Sequence, residues 1–147
     1  MEILRAERTR DRRAVLDLLR AVDLPVAGVD EHFAHFLVAV ESGVLVGVVG
    51  LEVYTHRGLL RSLAVQPACQ RAGIGAALVA KVLELASSVG ISDLYLLTTT
   101  AAEYFQRFGF HPMPRRAVPE EVRASKEFSE VRCASAVTMH RALSVVR

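Results

Sequence analysis

One segment of the sequence constrains the fold most. In it, a short apolar run leads into a glycine-containing loop and then into a long amphipathic stretch. Residues 59–65 are mostly apolar and end at Gln66 and Pro67, as expected for a buried strand that a proline terminates. After the loop, residues 75–88 carry apolar side chains at helical spacing, and Gly90 follows as a natural helix end. The sequence therefore predicts a buried strand that is joined to a long helix by a glycine-containing loop.

The loop has the spacing Gln70-x-x-Gly73-x-Gly75. The two glycines remove β-carbons where the chain enters the helix, which leaves backbone N–H groups free at the positive end of the helix dipole. That arrangement suits a pyrophosphate. A Walker loop would need Lys-Ser/Thr after Gly75, where two alanines stand, and a GxGxxG fingerprint would need a glycine in place of Leu78. Both of those phosphate-loop classes are excluded, and a Gln/Arg-x-x-Gly-x-Gly/Ala loop remains.

The rest of the chain predicts an α/β (α+β) fold with a mixed sheet. Residues 36–41 and 44–54 form a predicted hairpin across the turn 41–43. A first helix begins at Thr9 as N-cap and stops before Pro25. The remaining predicted strands are 2–5, 92–98, 110–113 and 134–141, and the remaining predicted helices are 30–35, 101–108 and 119–128.

Composition limits the classes of protein that this chain can represent. At 147 residues, with 52% hydrophobic and 23% charged residues, we expect one domain over residues 1–147 with its own core. The longest apolar stretch, 44–51, is too short for a membrane span, and the N-terminus shows no secretory signal, so we expect a cytoplasmic protein without a membrane partner. The net charge of +2 comes from mixed signs, which does not favour a nucleic-acid partner.

Cysteine and histidine patterns indicate neither a disulfide framework nor a metal site. Cys69 and Cys133 lie far apart without a CxxC motif, so both are expected to be free thiols. The histidines form no ligand cluster, and we predict no metal.

Two ordered motifs resemble the GNAT superfamily of N-acetyltransferases, and the resemblance covers nearly the whole chain. Residues 63–67 followed by 70–76 (Leu-Ala-Val-Gln-Pro, then Gln-Arg-Ala-Gly-Ile-Gly-Ala) match its acetyl-CoA motif, and residues 104–110 (Tyr-Phe-Gln-Arg-Phe-Gly-Phe) match its later helix-to-strand motif. The resemblance implies a mostly antiparallel, twisted sheet with a central splay, flanked by helices. Residues 60–63, 96–100 and 134–137 are further similar to a bacterial subfamily associated with arsenic-resistance operons and related to amino-acid N-acetyltransferases.

This resemblance implies acetyl-CoA as co-substrate and assigns residues to it. The pantetheine arm is expected beside the strand at Leu63, Ala64 and Val65, and the loop is expected to hold the pyrophosphate. The further loop residues assigned to the cofactor are Gln70, Arg71, Ala72, Gly73, Ile74, Gly75 and Ala76, with Thr98 and Phe105 added from later segments. Paired domains are frequent in the superfamily, so a homodimer is one expected assembly.

Acetyl transfer from a thioester to an amine needs a base for the amine and a stabilised oxyanion. A backbone N–H of Leu63 or Ala64, freed at the splay, is the expected oxyanion donor. Glu52 is the leading candidate for the base, because it interrupts an apolar strand beside the predicted cofactor strand. Glu52 facing solvent or pairing with Arg61 is the open alternative, and His56, in a loop, ranks below Glu52.

Arg61 lies within an apolar strand, where an unpaired guanidinium would be costly. Two interpretations stay open: an internal salt bridge, with Glu52 as a candidate partner, or bidentate capture of a substrate carboxylate. Three threonines, Thr98, Thr99 and Thr100, end the next strand; their hydroxyls either bind pantetheine or substrate or are ordinary strand residues.

Many relatives place a tyrosine, as acid for the thiolate, at the position of Phe105. Tyr104 is adjacent, but one helical residue rotates a side chain by about 100 degrees, so we do not expect a direct replacement. The primary hypothesis is an N-acetyltransferase that acts on the amine of a small, amino-acid-like acceptor. A protein or peptide N-acetyltransferase and a non-catalytic acyl-CoA sensor are the alternatives.

Overall fold

The computed structural model describes residues 1–70, 72–130 and 136–144. Within these ranges the strands are β1 (Glu2–Arg5), β2 (Phe36–Glu41), β3 (Val44–Tyr54), β4 (Arg57–Val65), β5 (Asp93–Thr98), β6 (His111–Pro112) and β7 (Val137–Ala142). The helices there are α1 (Arg8–Ala21), α2 (Val29–His32), α3 (Ile74–Ser88), α4 (Ala102–Gln106), α5 (Glu120–Arg123) and α6 (Lys126–Glu130).

The strands form one sheet in the order β1-β2-β3-β4-β5-β7-β6, in which the β4–β5 pair is parallel and the other neighbours are antiparallel. The predicted hairpin is confirmed: Ser42 and Gly43 turn between β2 and β3 with φ of 51° and 78°. Positive φ at both central residues matches the twist of the flanking strands. The predicted mixed, mostly antiparallel sheet is therefore confirmed.

The sheet splays open between β4 and β5. These strands pair only over the register Arg57↔Asp93 to Leu59↔Tyr95. Just beyond, β4 carries a bulge, because Ser62 and Leu63 together lie opposite a single residue of β3. Ser62 adopts φ 60°, a left-handed conformation that is uncommon for serine. The bulge accompanies the point at which β4 leaves β5.

Helices cover both faces of the sheet. The apolar side of α3 packs on one face in a core that includes Leu78 and Val82, and α1 packs on the other through Val15 and Leu19. A third, smaller cluster around Phe128 fastens α5 and α6 to β4 and β5. The last cluster holds α6 beside the splay.

Several sequence predictions needed correction at element boundaries. Helix α1 begins at Arg8 rather than after Thr9, and the Asp11 carboxylate accepts a hydrogen bond from the N–H of Glu7 at 2.8 Å. A side chain from inside the helix thus satisfies the N-terminal N–H, a local bond that the search for a preceding serine or threonine cap did not anticipate.

Other element boundaries also differ from the predicted ones. Strand β4 begins at Arg57 rather than at residue 59, since its first residues pair with both β3 and β5. The helix predicted at 101–108 covers only Ala102–Gln106, and the segment 119–128 forms two short helices, α5 and α6. Strand β7 begins at Val137; Ala134 and Ser135, predicted as its start, lie outside the described residues, as do Arg71 and Cys133.

Candidate active site

A cavity of about 360 Å³ lies in the splay between β4 and β5. Its walls come from β4 at residues 60–63, from the end of β5 and the following residues 96–101, from α4, and from Glu127 on α6. The loop after α1, residues 23–25, closes one side. Segments that are distant in the sequence therefore meet where the sheet opens.

The N-terminus of α3 lies next to this cavity. Gly73, the N-cap, has φ 80°, and no side chain among the described residues caps the first turn of the helix. A β-carbon placed on Gly75 would lie 3.0 Å from the Tyr104 hydroxyl and 3.8 Å from Cγ2 of Val65. The glycine loop, the end of β4 and α4 thus meet at one point. The first-turn N–H groups of this 15-residue helix have no side-chain cap in the described part of the chain, an arrangement that suits an anion.

Of the residues assigned to the cofactor, Leu63 lines the cavity, whereas Ala64 packs into the core on the α1 side. Side chains of consecutive strand residues point to opposite faces, which explains the difference. Gln70 donates from its amide to the carbonyl of Val65 at 3.3 Å, so it ties the loop back to β4. The assigned residues 72–76 surround the α3 N-terminus, and Arg71 lies outside the described residues.

The threonines and aromatic residues occupy different parts of the wall. Thr98 accepts a hydrogen bond at its hydroxyl from the N–H of Ala101 at 3.0 Å, which shapes the turn into α4, while Thr99 is exposed and lines the cavity. Phe105 lines the cavity with one part of its ring and packs against Phe110 with ring centroids 5.9 Å apart.

Tyr104 also lines the cavity, a placement that the sequence-based helix argument did not anticipate. Its hydroxyl lies across the N-terminus of α3, and burial raises the pKa of the phenol. The rotation of one helical residue separates Tyr104 from Phe105, but α4 lies in the splay with both residues on the cavity side. A protonated phenol is therefore available in the cavity even though position 105 lacks a hydroxyl.

Arg61 and Glu52 form a buried ion pair. Nη1 of Arg61 donates to Oε2 of Glu52 at 2.8 Å, with side-chain exposures of 0% and 1%. Arg61 also donates to the carbonyls of Pro25 and Ala27, at 3.2 and 2.7 Å, and through Nε to the Ser62 hydroxyl at 2.9 Å. The guanidinium thus fastens the loop after α1 to the sheet, in the arrangement that the internal salt-bridge interpretation describes.

Glu52 lies behind Arg61 and is not part of the cavity wall. Its Oε1 accepts a hydrogen bond from the Tyr54 hydroxyl and lies 3.3 Å from Nε2 of His32. Both carboxylate oxygens are therefore occupied by protein groups. The assignment of Glu52 as the base stays a prediction, and this geometry supports a positioning role for it through Arg61.

Glu127 is a buried acidic residue of the cavity wall that the sequence analysis missed. Its side chain is 9% exposed, and Oε2 lies 3.6 Å from Nε of Arg61. Burial raises the pKa of the carboxyl to about 7, and the nearby charge of Glu52 adds to the increase while Arg61 opposes it. A single glutamate in a polar helical segment gives little sequence signal; its position beside Phe128, which anchors α6, was the available indication.

The sequence model of the acetyltransferase (GNAT) family matches residues 3–110, which include the splayed strands and the glycine loop. The chain belongs to this family. The GNAT resemblance drawn from the two motifs is thereby confirmed, and the chain is a member of a family of acetyltransferase enzymes.

The chain is also similar to a named acetyltransferase. An amino-acid acetyltransferase of Neisseria meningitidis is 31% identical over 93 residues, which cover 62% of this chain and 21% of that protein. The chain therefore spans about a fifth of the length of that relative.

Two solved structures share the fold. The N-acetylglutamate synthase of Neisseria gonorrhoeae, in complex with coenzyme A and N-acetyl-glutamate, superposes with a TM-score of 0.83 at 24% identity, over 97% of this chain and 35% of that one. Rv2747 of Mycobacterium tuberculosis, solved in complex with CoA, has a TM-score of 0.81 at 25% identity, over 97% and 99% of the two chains.

Within the described part of the chain, no three histidine, cysteine, aspartate or glutamate residues are grouped as metal ligands, and no helix has the length and apolar character needed to cross a membrane. Cys69 is a free thiol.

Proposed function

We propose that this protein transfers an acetyl group from acetyl-CoA to the primary amine of a small, amino-acid-like acceptor. The observation that carries the proposal is the cavity in the β4–β5 splay, which joins the N-terminus of α3 to the buried carboxylate of Glu127. One end suits a phosphate-bearing cofactor, and the other suits a cationic amine.

For the cofactor, we propose that pantetheine lies along the edge of β4 beyond Leu59, where β5 no longer pairs with it. An unpaired strand edge offers N–H and C=O groups that an amide-containing chain can bind. The pyrophosphate would lie at Gly73 and Gly75, on the free N–H groups of α3. Rv2747 aligns with this chain over nearly its whole length and was solved in complex with CoA, which supports this assignment.

For the acceptor, the charges of the cavity support an amine. Glu127 is buried in the wall, and Asp23 is exposed at the rim, so the acidic groups lie where a cationic amino group would enter. The name of the Neisseria meningitidis relative supports an amino acid. The similarity to the arsenic-resistance subfamily adds amino-acid analogues and organoarsenicals to the acceptors that we propose.

The reaction that we propose is direct attack in a ternary complex. The neutral amine nitrogen attacks the thioester carbonyl, a backbone N–H near Leu63 stabilises the oxyanion, and the C–S bond breaks to release the CoA thiolate. Tyr104 is the phenol that we propose to protonate the thiolate, since Phe105 carries no hydroxyl. The nitrogen loses its second proton as the amide forms, and this proton restores the phenol of Tyr104.

A free-thiol assay with acetyl-CoA tests this function. The panel contains amino acids including L-glutamate, amino-acid analogues, organoarsenicals and a peptide library. We expect thiol release with at least one amino acid or analogue and none with peptides. Acetylation of peptides alone would instead support a protein acetyltransferase, and cofactor-induced thermal stabilisation without any turnover would support an acyl-CoA sensor.

A further inference from the structure

The buried charges beside the cavity do not balance. Two carboxylates, Glu52 and Glu127, flank one guanidinium, Arg61. Arg61 binds Glu52 more closely than Glu127. Its Nη1 donates a hydrogen bond to Oε2 of Glu52 at 2.8 Å, whereas its Nε lies 3.6 Å from Oε2 of Glu127. Glu127 therefore holds the longer and weaker of the two contacts with Arg61.

Helix α6 holds Glu127 firmly at the wall. The neighbouring Phe128 is 1% exposed, its ring lies under the guanidinium of Arg115 at 5.3 Å, and Arg115 also donates to the Phe128 carbonyl. Lys126, on the other side of Glu127, pairs with Glu31 at 2.5 Å rather than with Glu127. The carboxylate is thus fixed in place by the packing of its neighbours.

Beyond the 3.6 Å contact with Arg61, the carboxylate of Glu127 has room for a further partner on its cavity side. In the ranges that the structure describes, it accepts no hydrogen bond, and its side chain is nine-tenths buried while it lines the cavity. A buried carboxylate without a donor is costly, and the cost falls when a cation binds it or when it takes a proton. The ammonium group of an acceptor can supply both.

We propose that Glu127 is the group that receives the acceptor ammonium and removes its proton. This inference rests on the proposed function and adds to it a catalytic residue that the sequence analysis did not name. One N–H bond of the ammonium breaks and one O–H bond forms on Glu127, which becomes neutral. The amine keeps the electron pair with which it attacks the thioester, and the proton of Glu127 later returns to solvent.

The surrounding groups fit this role. Arg61 from β4 faces Glu127 directly, Glu52 from β3 acts on it through Arg61, and Asp23 lies at the rim of the cavity. With these neighbours the pKa of the carboxyl is raised to about 7, close to the value at which a base both holds and releases a proton near neutral pH. Glu52, by contrast, has both oxygens occupied.

The test compares Glu127→Gln with wild type on two acceptors, which are the amino acid of the panel that reacts fastest and methoxyamine. Methoxyamine is already neutral at neutral pH and needs no base. Glu121→Gln, on the adjacent surface helix, is the matched control, and Glu127→Asp tests rescue by a retained carboxylate. Thermal unfolding and acetyl-CoA binding are measured for every variant.

We expect Glu127→Gln to lose about 100-fold or more in kcat/KM with the amino acid and only a few-fold with methoxyamine. The inflection of kcat/KM near pH 7 should disappear in this variant, and Glu127→Asp should recover part of the activity. Cofactor-induced stabilisation should be unchanged.

Wild-type rates in Glu127→Gln, or an equal loss with both acceptors, would overturn the inference and leave the proposed function intact. A wild-type protein that binds acetyl-CoA but acetylates no acceptor would instead overturn the proposed function, and this inference with it.

Discussion

Nη1 of Arg61 donates to Oε2 of Glu52 at 2.8 Å across the β3–β4 pair, and both side chains are almost fully buried. A pair of this kind adds little net stability, but removal of one partner leaves a buried charge without compensation. The same guanidinium binds the carbonyls of Pro25 and Ala27, so the pair also fixes the loop that closes the cavity.

We therefore expect Arg61→Ala to lower the free energy of unfolding by about 3–5 kcal/mol, as measured by chemical denaturation. Any folded fraction should show a raised acceptor KM with nearly unchanged acetyl-CoA affinity. Arg57→Ala is the matched control, because Arg57 lies on the same strand as Arg61. Its pair with Glu121 lies at the surface and should contribute less than about 1 kcal/mol. Equal losses in the two variants would contradict the role assigned to burial.

The glycine loop gives a second prediction, for cofactor-induced thermal stabilisation. Gly73→Val should abolish the rise in Tm on addition of acetyl-CoA, because a side chain would cover the N–H groups of α3 and a positive φ strains valine. Gly75→Asp should do the same, since a negative charge would lie in the pyrophosphate site.

Gly90→Val controls for backbone strain at the other end of α3. Gly90 has φ 88° and, like Gly73, nothing within 4 Å of an added β-carbon. This variant should have a lower Tm but keep the full cofactor-induced shift. A shift that survives in both loop variants would mean that the cofactor binds elsewhere.

The third prediction concerns the pH dependence of the free energy of unfolding, to which the carboxyl of Glu127 contributes. Its pKa is about 7 in the folded protein against an ordinary value of 4.5, so between these pH values the folded state binds more protons than the unfolded state. The contribution of this group therefore favours folding at low pH and is lost as pH rises through about 7. The full loss is at most about 3 kcal/mol.

The difference in unfolding free energy between wild type and Glu127→Gln, measured by denaturation from pH 5 to pH 8, should move against wild type as pH rises. Glu121→Gln, whose carboxylate lies at the surface, should follow wild type over the same range. A difference that is constant with pH would argue against a perturbed carboxyl at position 127.

Tyr104 provides a fourth prediction, for turnover. Removal of its hydroxyl in Tyr104→Phe should lower kcat by about tenfold, below the usual range for a general acid because a thiolate leaves readily. The Tm should change little, since the ring and its contacts with Phe105 and Phe108 remain. Tyr95→Phe, which removes a hydroxyl from a tyrosine outside the cavity wall, should keep wild-type turnover. Unchanged kcat in Tyr104→Phe would mean that the thiolate is protonated by another group.

Most of the fold could be predicted from local patterns. The hairpin of β2 and β3, the long helix α3 and the order of strands and helices follow from periodicity and from turn residues, because those signals depend on neighbours a few positions away. The boundaries of α1 and β4 could not be predicted in the same way. The start of α1 depends on the bond from Glu7 to the side chain of Asp11, which a search for a serine or threonine cap overlooks. The start of β4 depends on pairing with β5, which no local window contains.

The same distinction between local and long-range contacts applies to the candidate site. The sequence by itself determined the glycine loop at Gly73 and Gly75, because the steric requirements of a strand-to-helix turn are met by the residues of the turn itself. It also showed that Arg61, within an apolar strand, needs an anion. Only the tertiary structure decided that Glu52 supplies the anion, that Tyr104 reaches the α3 N-terminus, and that Glu127 faces the cavity. These contacts join segments far apart in the chain, and burial and charge compensation arise only when packing brings such segments together.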